Sequence, residues 1–199
     1  MGQPLRGWFG GGVRFQGLHP WLFGENASGV RVAWFAKRSG CVGVVCVNDG
    51  GMATYTDITY HIVFGTKNRV PSLDKARRDD LYRFIWGVIK ERDGHLYRIG
   101  GVEDHIHILT SLHPSVALAD LVKEIKTASS AWIRGEQVFP AFDYWQEGYG
   151  AFTVAADARP ALIDYIKNQE QHHAKSDFVT ELQAMVESAH LHWKADHLP

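Results

Sequence analysis

An α+β fold built on an antiparallel sheet is predicted by two observations. Between residues 52 and 199, short runs of β-branched and aromatic residues alternate with longer amphipathic stretches, and two of those runs are separated by only two residues. Thr56–Phe64 (TDITYHIVF) reads as the first strand, followed by a basic loop with a proline, Thr66–Leu73. Asp74–Arg92 reads as an amphipathic helix with Leu81, Phe84, Ile85, Val88 and Ile89 on one stripe, stopped by Asp93–Gly94. His95–Val102 and His105–Leu112, joined by Glu103–Asp104, carry a hairpin signal. Ser115–Gly135 reads as a second helix, with Ser115 as its cap and Leu118, Leu121, Val122 and Ile125 facing inward. Phe142–Val154 is aromatic and supplies a fourth strand, broken near Gly148 and Gly150. Arg159–Ala174 reads as a third helix, with Pro160 in its first turn, and Phe178–Ser188 as a short last one. The order β-α-β-β-α-β fits a ferredoxin-like (split βαβ) sheet with helices on one face, plus C-terminal helices. That plan hosts many functions, so function has to come from a site.

The chain has 199 residues, a formal net charge of −1 and 45% hydrophobic residues, enough for a core that needs no disulfides. Two cysteines, Cys41 and Cys46, make neither a disulfide framework nor a four-cysteine zinc site. No apolar run approaches the roughly 18–20 residues of a membrane-spanning helix, so no membrane partner is expected and a cytoplasmic location is. Residues 1–51 hold 12 of the 20 glycines and both cysteines, without a sustained period. They are expected to be a poorly ordered N-terminal extension of the kind an over-long start assignment produces, with residues 52–199 as the working domain. The alternative is a small extra subdomain packed by Trp8, Trp21, Trp34 and Phe35, and Val42–Val47 within it could be a strand.

In His105-Ile106-His107-Ile108 the side chains alternate, so both imidazoles share one face and both isoleucines the other. Two neutral imidazoles at this spacing can bind one divalent ion, although half-exposed strand histidines without a ligand fit the same pattern. Asp104 is expected to alternate to the opposite face. On the third helix, Tyr165 and Gln169 are four apart and share a face, which His172 extends. That face begins apolar at Leu162 and becomes polar, which suggests a cleft. A glutamine carbonyl is a neutral oxygen ligand, and two histidines with one glutamine leave positions open on Mg²⁺ or Mn²⁺ for phosphate oxygens. Tyr165 could then attack the phosphorus. His172 and His173 are read as structural or surface residues, and His190, His192 and His197 as exposed tail residues.

The His105-Ile106-His107 strand resembles the histidine–hydrophobic–histidine motif of single-strand DNA nicking enzymes. With Tyr165-Ile166-Lys167-Asn168-Gln169 it is similar to the single-tyrosine transposases of the insertion sequence 200-like family. Tyr60–Arg69, Trp145–Phe152 and Asn168–His173 also resemble segments of that family, so the likeness runs over about residues 54–175. The resemblance implies that Tyr165 is the nucleophile, on a catalytic helix, and forms a 5′-phosphotyrosine link with a free 3′-hydroxyl. It implies that His105, His107 and Gln169 hold the divalent metal, Mg²⁺ or Mn²⁺. It further implies single-stranded DNA hairpins as substrate and a homodimer in which the tyrosine of one subunit completes the histidine pair of the other. Lys67, Arg69, Lys123, Lys126 and Arg134 are candidates for phosphate contacts. The net −4 of residues 52–199 argues against a broad DNA surface and leaves a local basic groove.

Other functional classes fit the residues less well. A nucleic-acid module that only binds stacks bases on sheet aromatics, whereas this strand face carries histidines. A histidine-triad phosphohydrolase needs a third alternating histidine, and position 109 is Leu109. A domesticated, repeat-associated relative would use the same chemistry.

Overall fold

The structure, a computed structural model, describes residues 22–25, 31–36, 42–47, 53–173 and 177–194, with side chains from residue 55 onward. Strands β1 (Leu22–Glu25), β2 (Arg31–Ala36), β3 (Val42–Val47) and β4 (Ala53–Thr56) pair in chain order as one antiparallel sheet. Three of them fall within the segment expected to be poorly ordered, and Val42–Val47 is a strand there, as the apolar run suggested. The other residues of that segment, with Trp8 and Trp21, and the side chains of Trp34 and Phe35 lie outside the described residues.

The second sheet has the order β6-β7-β5-β8, formed by β5 (Thr59–Gly65), β6 (Leu96–Gly101), β7 (His105–Ser111) and β8 (Gly150–Thr153), with every neighbouring pair antiparallel. Helix α1 (Lys75–Glu91) connects β5 to β6, and α2 (Leu118–Glu136) lies between β7 and β8. This is the ferredoxin-like plan the sequence predicts. Ile62, Phe64, Ile106 and Ile108 point to one side and are fully buried with Leu81, Ile85 and Ile89 of α1 and Leu121 and Ile125 of α2. Each such side chain contributes about 1.5–3 kcal/mol by leaving water. The alternation that buries the isoleucines forces the histidines of β7 onto the opposite side. There Val63 packs under Phe178 and Leu182 of α5 (Phe178–Ser188).

Four local expectations need correction. The predicted strand from Thr56 is two strands: Thr56 ends β4, and β5 begins after Asp57 and Ile58, where Asp57 accepts from the buried Arg159 guanidinium. Ser115 does not cap α2. Its hydroxyl pairs with His113 Nδ1 at 2.7 Å, and the helix starts behind Ala117. The fourth strand is only Gly150–Thr153, because Phe142 and Trp145 turn into the core. Trp145 meets the Phe64 ring edge-on at 5.0 Å and donates to Ser129 Oγ at 2.9 Å. The third helix breaks at Asn168, giving α3 (Arg159–Lys167) and α4 (Gln169–His173). Asn168 has φ −101° and ψ 21°, and its N–H is shared between the carbonyls of Asp164 and Tyr165, both at 3.1 Å.

Candidate active site

The histidine pair sits in the middle of the sheet and is completely buried, which removes the half-exposed alternative. Asp104 departs from its expected place: it lies in the turn before β7, and its Oδ1 is 2.7 Å from His105 Nδ1. A carboxylate can only accept, so His105 carries its hydrogen on Nδ1, and in the neutral ring Nε2 is a lone pair. His107 Nδ1 lies 3.0 Å from Nε2 of His61, a diagonal neighbour on β5, and the two rings stack at 5.2 Å. Donation from His107 Nδ1 to His61 leaves the His107 Nε2 lone pair directed at the site. Burial, followed by the neighbouring His107, pushes His61 down to about 3. Burial likewise lowers His107. Burial also pulls on His105, but its hydrogen bond to Asp104 and the nearby Glu181 carboxylate outweigh it and raise this imidazole.

Gly65 stands opposite His105 across the β5–β7 ladder. A Cβ there would lie 2.9 Å from Gln146 Oε1, 3.0 Å from the Asp104 carbonyl and 3.4 Å from Phe178. The missing side chain leaves room for the Phe178 ring, which stacks on His105 at 4.4 Å. Phe178 thereby anchors α5, and one turn later Glu181 enters the histidine face with its side chain only 3% exposed. Its Oε1 accepts from the Tyr165 hydroxyl and from Gln169 Nε2 (3.1 Å), and its Oε2 from His173 Nε2 (2.7 Å). The Nε2 atoms of His105 and His107 each lie 3.5 Å from this carboxylate. Burial disfavours its charged form, but the two facing imidazoles outweigh that and hold it at about 2. Burial, with His105 next, lowers His173 to about 4.

The donor set fits a divalent cation. His105 Nε2, His107 Nε2 and Gln169 Oε1 are all buried without a hydrogen-bond partner. They are three lone-pair atoms around one carboxylate, and such groups are costly when unpaired. One ligand atom from each of His105, His107, His173 and Glu181 lies within 4.8 Å of the others, close to twice a Mg²⁺–oxygen bond of about 2.1 Å. A cleft of about 410 Å³, lined by His61, Leu162, Tyr165, His172, Glu181 and Met185 among others, opens on this cluster. Tyr165 is half-buried at its wall, edge-on to His107 (6.0 Å) and to His172 (5.0 Å).

The family model for IS200-like transposases matches residues 54–169, more than half of the chain. The chain belongs to that family. This IS200-like transposase is 25% identical to the ISDra2 transposase TnpA of Deinococcus radiodurans over 117 residues, 56% of this chain and 84% of the relative. Among solved structures it is similar to a transposase candidate from Deinococcus radiodurans R1 (24% identity, TM-score 0.47, 62% of this chain and 98% of that one). It is also similar to a REP-associated tyrosine transposase bound to a REP hairpin (17% identity, TM-score 0.48, 61% and 74%). Among the described residues, no helix of the transposase is long and apolar enough to cross a membrane.

Of the residues anticipated for the site, His105, His107, Tyr165 and Gln169 converge, all from one chain. Tyr165 and Gln169 do so across the break at Asn168 rather than along one helix face. The basic candidates separate. Lys67, paired with Asp143 at 3.2 Å, and Arg134 both lie against the Tyr144 ring, at 5.4 and 5.0 Å. Lys126 is held by the carbonyls of Gln146 and Gly148 and over the Phe64 ring, and burial lowers it to about 8. Arg69 and Lys123 are exposed, in the loop after β5 and on α2. The residues that sequence reasoning missed are His61, Asp104 in its bonding role, His173 and Glu181. The sequence signal for Asp104 is its position beside His105. Glu181 carries none without the fold, because 76 residues separate it from that histidine.

Proposed function

We propose that this transposase cleaves and rejoins single-stranded DNA at hairpin-flanked element ends through a covalent bond between Tyr165 and a 5′ phosphate. The observation that carries the proposal is the convergence of the Tyr165 hydroxyl and the two bare imidazole nitrogens on one buried carboxylate, beside a cleft. In the step proposed, the Tyr165 oxygen attacks phosphorus and the bond from phosphorus to the 3′ oxygen breaks. The phenol proton passes to water, and the departing 3′ oxygen takes one up. The phosphodiester energy stays in the phosphotyrosine, so a 3′-hydroxyl can reverse the step without a nucleoside triphosphate. The Tyr165 hydroxyl donates to Glu181, so it carries its proton into the step and is already oriented. Glu181 and the His107 and His172 ring edges hold the phenol where it is. His105, His107 and Gln169 would hold Mg²⁺ or Mn²⁺, which when bound supplies Lewis acidity towards the phosphate oxygens.

Tyr144, 50% exposed between Lys67 and Arg134, supports strand binding as a stacking ring flanked by cations. The hairpin substrate and a homodimeric assembly follow from the family resemblance and belong to the same proposal. The test incubates labelled single-stranded DNA carrying hairpins from the element's own flanks with the protein and Mg²⁺ or Mn²⁺. A covalent adduct on a denaturing gel, absent with chelator and absent for His107→Ala, is expected. Tight hairpin binding without an adduct under any of these conditions would make the protein a binding module.

A further inference from the structure

We propose that Glu181 is itself a ligand of the divalent ion held by His105, His107 and Gln169, so that metal binding clamps the C-terminal helix α5 onto the sheet. The inference rests on the metal-site reading above and extends it beyond the family match, which ends at Gln169. Among the described residues, this buried carboxylate has no Lys or Arg partner; its ion-pair neighbours are imidazoles only. His105, its Nδ1 hydrogen committed to Asp104, turns Nε2 towards Glu181 Oε2 at 3.5 Å. Two electron-rich atoms at that distance repel unless a proton or a cation lies between them.

The position of Glu181 is imposed by packing rather than chosen by its charge. Phe178 stacks on His105, and Phe178 and Leu182 pack on Val63, so Glu181, which shares their buried face of α5, must face the cluster. Gln169 is arranged compatibly: its amide hydrogen goes to Glu181 Oε1, while its carbonyl Oε1 has no partner. His173 is different. Its Nε2 donates to Glu181 Oε2 at 2.7 Å, which makes it a positioning residue for the carboxylate. Charge favours the same assignment: three neutral ligands leave a dication, whereas a carboxylate reduces it to one positive charge, matched by one phosphodiester.

The test titrates full-length wild type, Glu181→Gln and His107→Ala with Mn²⁺ by calorimetry at pH 8, and melts each in chelator and in Mn²⁺. Wild type is expected to bind Mn²⁺ and His107→Ala to lose it. Glu181→Gln should bind at least tenfold more weakly, with a smaller metal-induced rise in melting temperature and a melt in chelator within a few degrees of wild type. Equal Mn²⁺ affinity in Glu181→Gln would overturn the inference and leave the metal site of His105, His107 and Gln169 standing. No Mn²⁺ binding by wild type would overturn both. Hydrogen exchange on wild type gives a variant-free check. Amides of Phe178–Ser188 should gain protection with Mn²⁺, and unchanged exchange there despite binding would also overturn the inference.

Discussion

Asp104 Oδ1 lies 2.7 Å from His105 Nδ1, which fixes the hydrogen of that ring on the side away from the active site. Metal-ligating histidines commonly need such an acceptor on their second nitrogen. Asp104→Ala is therefore expected to weaken Mn²⁺ binding by about 10–100-fold while the protein stays folded. Calorimetric titration checks this.

The close approach of Gly100 on β6 to Ile166 on α3 sets where the neighbouring Tyr165 stands. A Cβ at position 100 would lie 2.5 Å from the Ile166 carbonyl oxygen. Gly100→Ala must push α3 outward by about 1 Å, and a misplacement of that size costs on the order of 100-fold in rate. Single-turnover cleavage should fall by that factor, with hairpin affinity close to wild type.

The metal-free protein should lose stability on acidification. Unfolded His61 takes up a proton near 6.5, and folded His61 refuses it down to about 3. The unfolded state thus binds more protons in that window, and stability falls with pH by roughly 1 kcal/mol per unit from this residue. His107 shifts in the same direction, and Glu181, held at about 2, adds a further loss below 4.5. His105 opposes them, because its contribution is present below 6.5 and fades as pH rises through its raised value. Melting temperatures in chelator should decline from pH 7 to pH 4, with a shallower decline for His61→Gln.

Tyr144 presents a half-exposed ring between two cations. Tyr144→Ala should weaken binding to single-stranded DNA by about 1–3 kcal/mol. Fluorescence anisotropy measures this, and the effect should be similar across sequences.

Sheet and helices were legible because burial enforces periodicity. Ile106 and Ile108 alternate with the histidines since one face of β7 meets α1 and α2, and the stripe on α1 repeats for the same reason. The break at Asn168 was not legible, because its cause is a shared backbone hydrogen bond rather than a glycine or proline. Ser115 looked like a cap, but its hydroxyl is engaged by His113. Half of the candidate site could be read from two short motifs. Glu181 and His173 could not: the stacking of Phe178 on His105 brings Glu181 to the histidine face, and His173, at the end of α4, meets the His105 ring edge-on at 4.4 Å.

The central claim is that the Tyr165 oxygen becomes bonded to DNA phosphate. Nuclease digestion of the trapped adduct, followed by peptide mass spectrometry, tests it most directly, with Tyr165→Phe run alongside. The expected result is a nucleotide remnant on the Tyr165 peptide, no adduct from Tyr165→Phe, and hairpin binding retained by that variant. A remnant on any other residue, or an adduct that persists in Tyr165→Phe, would contradict the account.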